Sequence, residues 1–336
     1  MKIIRKFLFL IIFLIIGLMA VSCKKDNGKV KVKLAEVTHS VFYAPQYIAM
    51  KLGYFEEEGL EIDLVLTPGA NNVMAALLSK DVHIGLCGPE AAVFVYNRDY
   101  SDYPVAFAQL TQRDGSFLFS REEIPNWTWQ MLKGKSILGG RKGGMPEMTL
   151  EYVLKSKGLE VGRDDPSKDV LVRTDVDFAA MAGAFESGQG DFTTLFEPLA
   201  TSMEKGGKGY IVASIGAESG DLPYTVYHAA KSYVDKNPEV IQKFVNAIYK
   251  GQQWVKEHSA REIAETIITY FPELTINDLT AVTQRHKDIN AWQENPFFGE
   301  DGYNRMLDII QAAGELTSRP PYDKLINNNF SSKFKD

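Results

Sequence analysis

Residues 31–66 read KVKLAEVTHSVFYAPQYIAMKLGYFEEEGLEIDLVL, and this stretch decides the fold. The β-branched and apolar run at 31–37 predicts a strand. Residues 45–58 predict a helix, because proline suits a first helical turn and glycine punctuates the exit. Residues 61–66 predict a second strand. A strand, a helix and a strand in succession indicate a βα unit of a mostly parallel sheet.

The same alternation continues through most of the chain and then gives way to helices. Further strands are predicted at 82–86, 105–109, 117–120, 136–138, 169–173, 191–195 and 210–213. Helices are predicted at 70–79, 90–96, 146–156, 177–186 and 198–205, and in the tail at 238–257, 260–269, 276–285 and 301–314. An apolar run at 223–228 precedes that tail.

Two α/β runs followed by a helical tail predict two lobes. We expect residues 31–115 and 224–336 to form the first lobe and residues 116–223 the second. The chain then crosses between the lobes twice, which makes a hinge and leaves a cleft. Because ligands of open parallel sheets sit beyond the carboxyl ends of the strands, the loops after the strands are the candidate site.

The amino end predicts export. Three basic residues precede an uncharged apolar run at 7–20, which is shorter than the roughly 20 residues that a membrane-spanning helix needs. Residues 1–22 are therefore predicted to be a signal peptide. Ala20-Val21-Ser22-Cys23 resembles the lipobox of bacterial lipoproteins, which implies acylation of Cys23 with a fatty acid such as palmitate. Residues 23–30 would then be a tether on the extracytoplasmic face of the cell membrane. The alternative is an ordinary secreted protein with an incidental cysteine.

Composition excludes several classes of protein. The chain has 336 residues, of which 45% are hydrophobic, and a net charge of −6. Removal of residues 1–22, which carry three basic and no acidic residues, would leave −9. Nucleic acid is an unsuitable partner, since phosphate binding needs a basic surface.

The only other cysteine, Cys87, cannot form an intrachain disulfide once Cys23 is acylated. The five histidines lack metal-ligand spacing, so we expect no metal and no cofactor.

Several motifs carry a resemblance to a known family. The segment 43–62, YAPQYIAMKLGYFEEEGLEI, is similar to the opening of substrate-binding proteins of ABC importers in the nitrate, sulfonate, taurine and thiamine-precursor group. Pro68-Gly69-Ala70, Asp81-Val82-His83-Ile84-Gly85 and Phe196-Glu197-Pro198 match further positions of that group. The resemblance spans roughly residues 31–260. It implies a type II periplasmic-binding-protein fold and a monomeric, non-enzymatic receptor that delivers a small molecule to an ABC permease and ATPase.

The loops after the strands supply the predicted site. We expect ligand contacts from His39, Phe42, Tyr43, Asn71, Asn72, Gly88, Glu90, Gly143, Gly144, Met145, Asp175, Glu197 and Tyr224. The turn before residue 71 offers backbone N–H groups and a helix dipole. The segment 139–145, GGRKGGM, resembles the family's glycine-containing loop that faces the ligand, and its glycines permit close backbone approach.

Glu197 is the polar residue that we single out. A carboxylate at a strand exit between phenylalanine and proline is costly to bury without a hydrogen-bond donor. The donor is either a ligand N–H or a protein arginine, and the sequence leaves both open. Acidic and aromatic residues together favour a neutral or weakly basic heteroaromatic ligand such as a pyrimidine. Arg113, Arg141 and Lys142 keep a small oxyanion (nitrate, a sulfonate or taurine) as the alternative.

Two other functions are compatible with a fold of this kind. The fold family includes a pyrimidine precursor synthase that uses a histidine, iron and a cysteine-rich motif. This sequence has no cysteine cluster, so the enzyme is the minor hypothesis. A surface adhesin or signalling receptor would reuse the fold and the anchor without a transporter.

Overall fold

The structure is a computed structural model, and it describes residues 28–335. The predicted signal peptide, Cys23 and most of the predicted tether lie outside the described residues. Within them, no helix has the length and apolar character that crossing a bilayer requires.

The strands are short and mostly buried. They are β1 Val30–Glu36, β2 Leu60–Leu66, β3 Ile84–Cys87, β4 Pro104–Thr111, β5 Ser116–Ser120, β6 Lys135–Leu138, β7 Val161–Arg163, β8 Val170–Arg173, β9 Phe192–Phe196, β10 Tyr210–Ser214 and β11 Thr225–Ala230.

Helices follow most strands and fill the tail. They are α1 Ala44–Lys51, α2 Tyr54–Glu57, α3 Ala70–Leu78, α4 Glu90–Tyr96, α5 Met145–Ser156, α6 Met181–Glu186, α7 Leu199–Lys205, α8 Ile215–Ser219, α9 Lys231–Lys236, α10 Pro238–Glu257, α11 Ala260–Ile267, α12 Ile276–Asp288, α13 Glu300–Ala312 and α14 Tyr322–Leu325.

The strands form two separate sheets. The first has the order β2-β1-β3-β11-β4, and the second has the order β10-β5-β9-β6-β8-β7. Both sheets are mixed: among the described residues, five of the nine strand pairs are parallel, and four are antiparallel. In the first sheet β11 runs antiparallel to β3 and β4, because it is the strand that returns from the second sheet. In the second sheet β5 runs antiparallel to β9 and β10.

We call the first sheet with its packed helices lobe 1 and the second sheet with its helices lobe 2. The chain changes sheet between Thr111 and Ser116, and it returns between Ser214 and Thr225. The predicted lobe limits at residues 115 and 224 stay a proposal about domain boundaries. The helical tail packs on lobe 1, where α10 contacts α1 and contributes Ile241, Phe244 and Ile248 to the core.

Burial explains why these segments form these elements. Every residue of β3 and β4 is buried, as expected for strands covered on both faces. On α10 the buried residues recur on one helical face, which lies against lobe 1. Two cores lie on opposite sides of the second sheet, one around Leu150 and Val172 and the other around Phe119 and Phe185.

The predicted helix at 45–58 is two helices. Gly53 between α1 and α2 has a φ of 78°, a left-handed conformation that breaks the helix and that glycine adopts without strain. The strand β7 was not predicted, because three residues flanked by turns carry too little periodicity. The predicted α/β fold with two lobes and a helical tail is otherwise confirmed.

Candidate functional site

A cavity lies between the two lobes, and its empty volume is about 680 Å³, including solvent at its mouth. It sits beyond the carboxyl ends of strands from both sheets, where α/β folds place their ligands. Its walls are formed by Val37, Thr38, Tyr43, Gly69, Ala70, Gly88, Glu90, Gly140, Arg141, Gly144, Met145, Pro146, Glu147, Phe178, Phe196, Tyr224 and Thr225.

The structure brings about half of the predicted ligand contacts to this cavity. Those in its wall are Tyr43, Gly88, Glu90, Gly144, Met145 and Tyr224. Those that lie outside its wall are His39, Phe42, Asn71, Asn72, Gly143, Asp175 and Glu197. Ligand contact by any of the thirteen stays a prediction, and the geometry now favours the first set.

Glu90 is the most unusual residue of the cavity wall. It begins α4 directly after β3, and its residue is only 2% exposed. One oxygen, Oε1, accepts the backbone N–H of Met145 from lobe 2 at 3.3 Å. The other, Oε2, has no hydrogen-bond partner among the described residues. Burial raises the pKa of Glu90 to about 7. The cavity therefore holds an acid with an unused oxygen.

Gly88 lets the Glu90 carboxyl group fold back beside the strand end. A Cβ atom at position 88 would lie 2.0 Å from Oε2 of Glu90, which no real contact allows. Any side chain there would push the carboxyl group out of its position. The pair Gly88 and Glu90 thus acts as one unit, in which the glycine creates the space that the acid occupies.

Aromatic rings line much of the remaining wall. Phe196 at the end of β9 lies 5.5 Å from Phe178 and 6.3 Å from Tyr224, measured between ring centroids. Phe178 is 37% exposed, so its ring is open to solvent at the cavity. Phe42, predicted as a contact, is fully buried behind this wall against Phe196 and Tyr224. The exposed faces suit a flat apolar or aromatic ligand.

The glycine-rich loop after β6 forms the lobe 2 side. Gly140, Arg141 and Gly144 line the cavity, whereas Gly143 lies behind it and donates its N–H to Oε2 of Glu147 at 3.0 Å. Burial and the neighbouring Glu151 raise the pKa of Glu147 to about 8. The cavity therefore carries a second buried acid that holds a proton at neutral pH.

The carboxylate of Glu197 is fully paired within the protein. Its side chain is fully buried, and Oε1 accepts from Arg285 Nη1 at 2.6 Å and from Thr201 Oγ1 at 2.9 Å. Oε2 accepts the backbone N–H of Thr201 at 2.9 Å. A protein arginine thus supplies the donor, which is the second of the two alternatives that the sequence left open.

The other outlying residues have structural partners of their own. His39 lies between Oε1 of Glu36 and the carbonyl of Tyr270, each at 2.8 Å, and the hydrogen bond to Glu36 raises its pKa. Asp175 is exposed and pairs with Arg173 at 2.7 Å. Asn72 donates to the carbonyl of Pro68 at 2.6 Å. Asn71 and Asn72 are both exposed, and the turn before them, at Gly69 and Ala70, lines the cavity in their place.

Sequence reasoning missed several wall residues. Val37 and Thr38 follow β1 directly, so the rule of strand-end loops could have found them. Phe178 and Glu147 sit within or beside helices that the sequence marked only as helices. Among residues 28–335, no group of three or more histidine, cysteine, aspartate or glutamate side chains is arranged to hold a metal ion.

Comparison with known proteins gives the family. Residues 41–262 match the family described as NMT1/THI5 like. The chain belongs to the NMT1/THI5-like family. The candidate binding protein YtlA of Bacillus subtilis (strain 168) is 43% identical over 322 residues, which cover 96% of this chain and 94% of that protein.

More distant members and neighbours of the NMT1/THI5-like chain differ in what they do. The 4-amino-5-hydroxymethyl-2-methylpyrimidine phosphate synthase of Aspergillus parasiticus is 24% identical, over 67% of this chain and 66% of that protein. The alkanesulfonate-binding protein SsuA of Xanthomonas axonopodis pv. citri, solved with MOPS bound, has a TM-score of 0.69 at 16% identity. That superposition covers 89% of this chain and 98% of SsuA, and it confirms the periplasmic-binding-protein fold.

Proposed function

We propose that this chain is a solute receptor that closes its two lobes on a small molecule and delivers it to an ABC importer. The cavity is the observation that carries the proposal, because both lobes build its wall and Glu90 joins them across it. A solute held there binds the closed state better than the open state and so shifts the population towards closure. The YtlA relative supports a binding function over an enzymatic one.

The same proposal places the protein outside the cytoplasm. Cys23 carries a lipid, residues 23–30 tether lobe 1 to the membrane, and the permease meets the closed receptor at the membrane surface. The support is the sequence around Cys23 together with the fold of extracytoplasmic receptors. The protein works as a monomer in this scheme, since one chain contributes both walls of the cavity.

The proposed ligand is a pyrimidine-like heteroaromatic molecule. A flat ring fits beside the faces of Phe178, Phe196 and Tyr224. A ring N–H or exocyclic amine of the ligand would donate to the unused oxygen of Glu90, which has no other donor among the described residues. Such a bond to a buried acid is strong, since it replaces a lost interaction with water.

A small oxyanion is the second candidate ligand. Arg141 lines the cavity, and the structural neighbour SsuA binds MOPS, a sulfonate. Glu90 in the same wall opposes an anion by charge repulsion when it is ionised. The charged groups of the cavity wall therefore favour the heteroaromatic ligand over a small oxyanion.

A thermal-shift screen of the purified chain tests this assignment. The panel holds aminopyrimidines, alkanesulfonates, taurine and nitrate, each well above its dissociation constant. A solute at 100 times its Kd adds about 2.7 kcal/mol to the free energy of unfolding. We expect an aminopyrimidine to stabilise the chain. Glu90→Gln should raise the Kd of that solute by about tenfold and so reduce the stabilisation.

Glu160→Gln is the matched control, because Glu160 is an exposed acid of lobe 2 that pairs with Lys168. Its response should equal that of the unchanged chain. Stabilisation by an oxyanion alone would reject the heteroaromatic ligand, and equal responses from the Glu90 and Glu160 variants would reject the role of Glu90.

A further inference from the structure

Arg163, at the end of β7, donates hydrogen bonds to three glutamate side chains, two from α5 and one from the chain after α13. Its Nε donates to Oε1 of Glu147 at 2.8 Å and to Oε1 of Glu151 at 3.0 Å. Its Nη1 donates to Oε1 of Glu315 at 2.6 Å. The arginine side chain is only 16% exposed. A guanidinium group can serve several acids at once because its donors form a fixed planar fork.

One end of this cluster reaches the ligand cavity. Glu147 lines the cavity, and the N–H of Gly143 in the glycine-rich loop holds its Oε2. Glu147 and Glu151 are one helical turn apart on α5, so Arg163 fixes the first turns of that helix from outside. Arg163 and the N–H of Gly143 together therefore hold Glu147 in the cavity wall.

The other end reaches lobe 1 through the strap, which we define as residues 313–319. Besides Glu315, Arg163 contacts the carbonyl of Ala313 through Nη2 at 3.1 Å. The strap is fastened to lobe 1 by Asn97, whose Nδ2 donates to Thr317 Oγ1 at 3.1 Å and to the carbonyl of Ser318 at 2.9 Å.

The helix before the strap is also part of lobe 1. Met306, Leu307, Ile309 and Ile310 of α13 are buried in the lobe 1 core. The contact between Arg163 and Glu315 therefore joins lobe 2 to lobe 1 directly. If the lobes separate at this side, that ion pair has to break.

We propose that Arg163 is a positioning residue that sets Glu147 in the cavity wall and, through Glu315 of the strap, holds the two lobes closed on the bound solute. The inference rests on the proposed receptor function for its ligand-dependent part. The charge pattern supports it, since Lys142 lies 3.7 Å from Glu315 and Lys155 donates to the carbonyl of Ala312 at 3.2 Å. Cations of lobe 2 thus meet the strap and the end of α13 along the length of α5.

The test combines binding kinetics with small-angle X-ray scattering. Arg163→Gln removes the whole cluster. Glu315→Gln removes the ion pairs of the strap with Arg163 and Lys142, while Arg163 keeps Glu147, Glu151 and the carbonyl of Ala313. Lys168→Gln is the matched control, because Lys168 makes an exposed ion pair with Glu160 in the same lobe. Rates are measured with the solute that the thermal-shift screen identifies.

We expect Arg163→Gln and Glu315→Gln each to raise the dissociation rate of the solute by about tenfold. The association rate should not fall and should rise if it changes, because loss of the ion pair populates the open state that admits the solute. Without solute, Glu315→Gln should have a larger radius of gyration than the unchanged chain. Lys168→Gln should change none of these values.

The possible failures point to different conclusions. If the solute dissociates no faster from Glu315→Gln than from Lys168→Gln, the strap does not hold the lobes and the inference is wrong. If Arg163→Gln does not fold, Glu315→Gln still decides. If the unchanged chain binds none of the solutes, the proposed function is wrong. Small-angle scattering of the unliganded chain and of unliganded Glu315→Gln then tests the strap, and equal radii of gyration would reject its role.

Discussion

The carboxylate of Glu197 has no exposure to solvent, and the charge that balances it comes from Arg285 on α12. Arg285 also reaches Oε2 of Glu204 at 3.2 Å, so one arginine of lobe 1 holds two acids of lobe 2. The carbonyl of Glu197 accepts a further bond from Ser40 Oγ at 2.6 Å. These contacts lie next to the hinge and join the lobes there.

Replacement of Arg285 by alanine should strongly destabilise the chain. The change leaves a buried carboxylate without a countercharge, which costs about 3 kcal/mol. Chemical denaturation at neutral pH measures the loss. Arg261→Ala is the control, since its pair with Glu265 is about half exposed on both sides and is worth under about 1 kcal/mol. Equal losses in the two variants would contradict the assignment of Glu197 as a structural residue.

The sequence alone does not tell which of Glu90 and Glu197 has a structural partner and which faces the cavity. Both Glu90 and Glu197 follow a strand and precede a helix, and both were predicted to face a ligand. Arg285 lies 88 residues beyond Glu197, and no local pattern announces that pairing. Oε2 of Glu90 lies beside Gly88, whereas Oε1 accepts the N–H of Met145, so the unused oxygen is Oε2. Met145 comes from the other lobe, which local sequence does not reveal.

At the scale of elements, the packing of α10 against α1 depends on one glycine. A Cβ atom at Gly251 would lie 2.2 Å from the carbonyl oxygen of Pro45 and 3.2 Å from Cβ of Ala49. The two helices approach closely at that point because glycine has no side chain. The tail is thereby fixed to the helix that follows the first cavity loop.

Gly251→Ala should destabilise the chain although alanine favours helices. The forced separation of α10 and α1 costs about 1–3 kcal/mol, more than the roughly 1 kcal/mol that helix propensity returns. Gly183→Ala is the matched control in α6, where no atom lies within 4 Å of the added Cβ atom. That variant should be stabilised by about 0.5 kcal/mol. Thermal unfolding of both measures the effect, and a stabilised Gly251 variant would contradict the packing.

The raised pKa of Glu147 on α5 leads to a prediction of how the free energy of unfolding depends on pH. Its pKa in the folded chain is about 8, and an unfolded glutamate ionises near pH 4.3. The folded chain therefore holds a proton that the unfolded chain releases, so stability is present at lower pH and falls as pH rises through 8. Between pH 6.5 and 8 this proton alone lowers the free energy of unfolding by roughly 1 kcal/mol per pH unit.

Glu147→Gln should flatten most of that slope, because glutamine does not titrate. The residual slope comes from other buried groups: Glu90, whose pKa is about 7, lowers stability with rising pH, whereas His228 and His286, whose pKa values burial lowers to about 3, raise it near pH 6.5. Glu160→Gln, at an exposed position that pairs with Lys168, should keep the full slope. Urea unfolding at a series of pH values measures it, and a slope that survives in Glu147→Gln would show that the proton sits elsewhere.

Most elements could be predicted from periodicity, and some with their limits. Helices α4 and α10 have the predicted limits 90–96 and 238–257. The split at Gly53 and the short strand β7 depend on backbone geometry and tertiary contacts that hydropathy does not encode. Arg163 at the end of β7 escaped notice for the same reason, since its partners Glu147, Glu151 and Glu315 come together only in the folded chain.

At the scale of the whole molecule, the return of the chain after Ser214 creates both the hinge and the cavity. Strand β11 inserts between β3 and β4, so lobe 1 cannot form without residues from both sides of lobe 2. The sequence predicted this return from the apolar run at 223–228 and the helical tail. Closure couples the lobes through Glu90, Arg163 and Arg285, which lie at different places around the cavity.

The lipid anchor is a prediction about the molecule in its cell. Cys23→Ser should abolish incorporation of labelled palmitate and release the protein from the membrane fraction. Cys87→Ser is the matched control, because Cys87 is buried in lobe 1 and should leave the anchor intact. Membrane retention of the Cys23 variant would show that another segment holds the protein there.

A crystal structure of the chain with the solute that stabilises it most is the decisive measurement. We expect the solute between the lobes, in contact with Tyr43 on one side and with Met145 and Phe178 on the other, with a nitrogen in hydrogen-bond range of Glu90 Oε2. A solute bound to one lobe alone, or one that leaves Glu90 without a donor, would contradict a receptor that closes on its ligand through this acid.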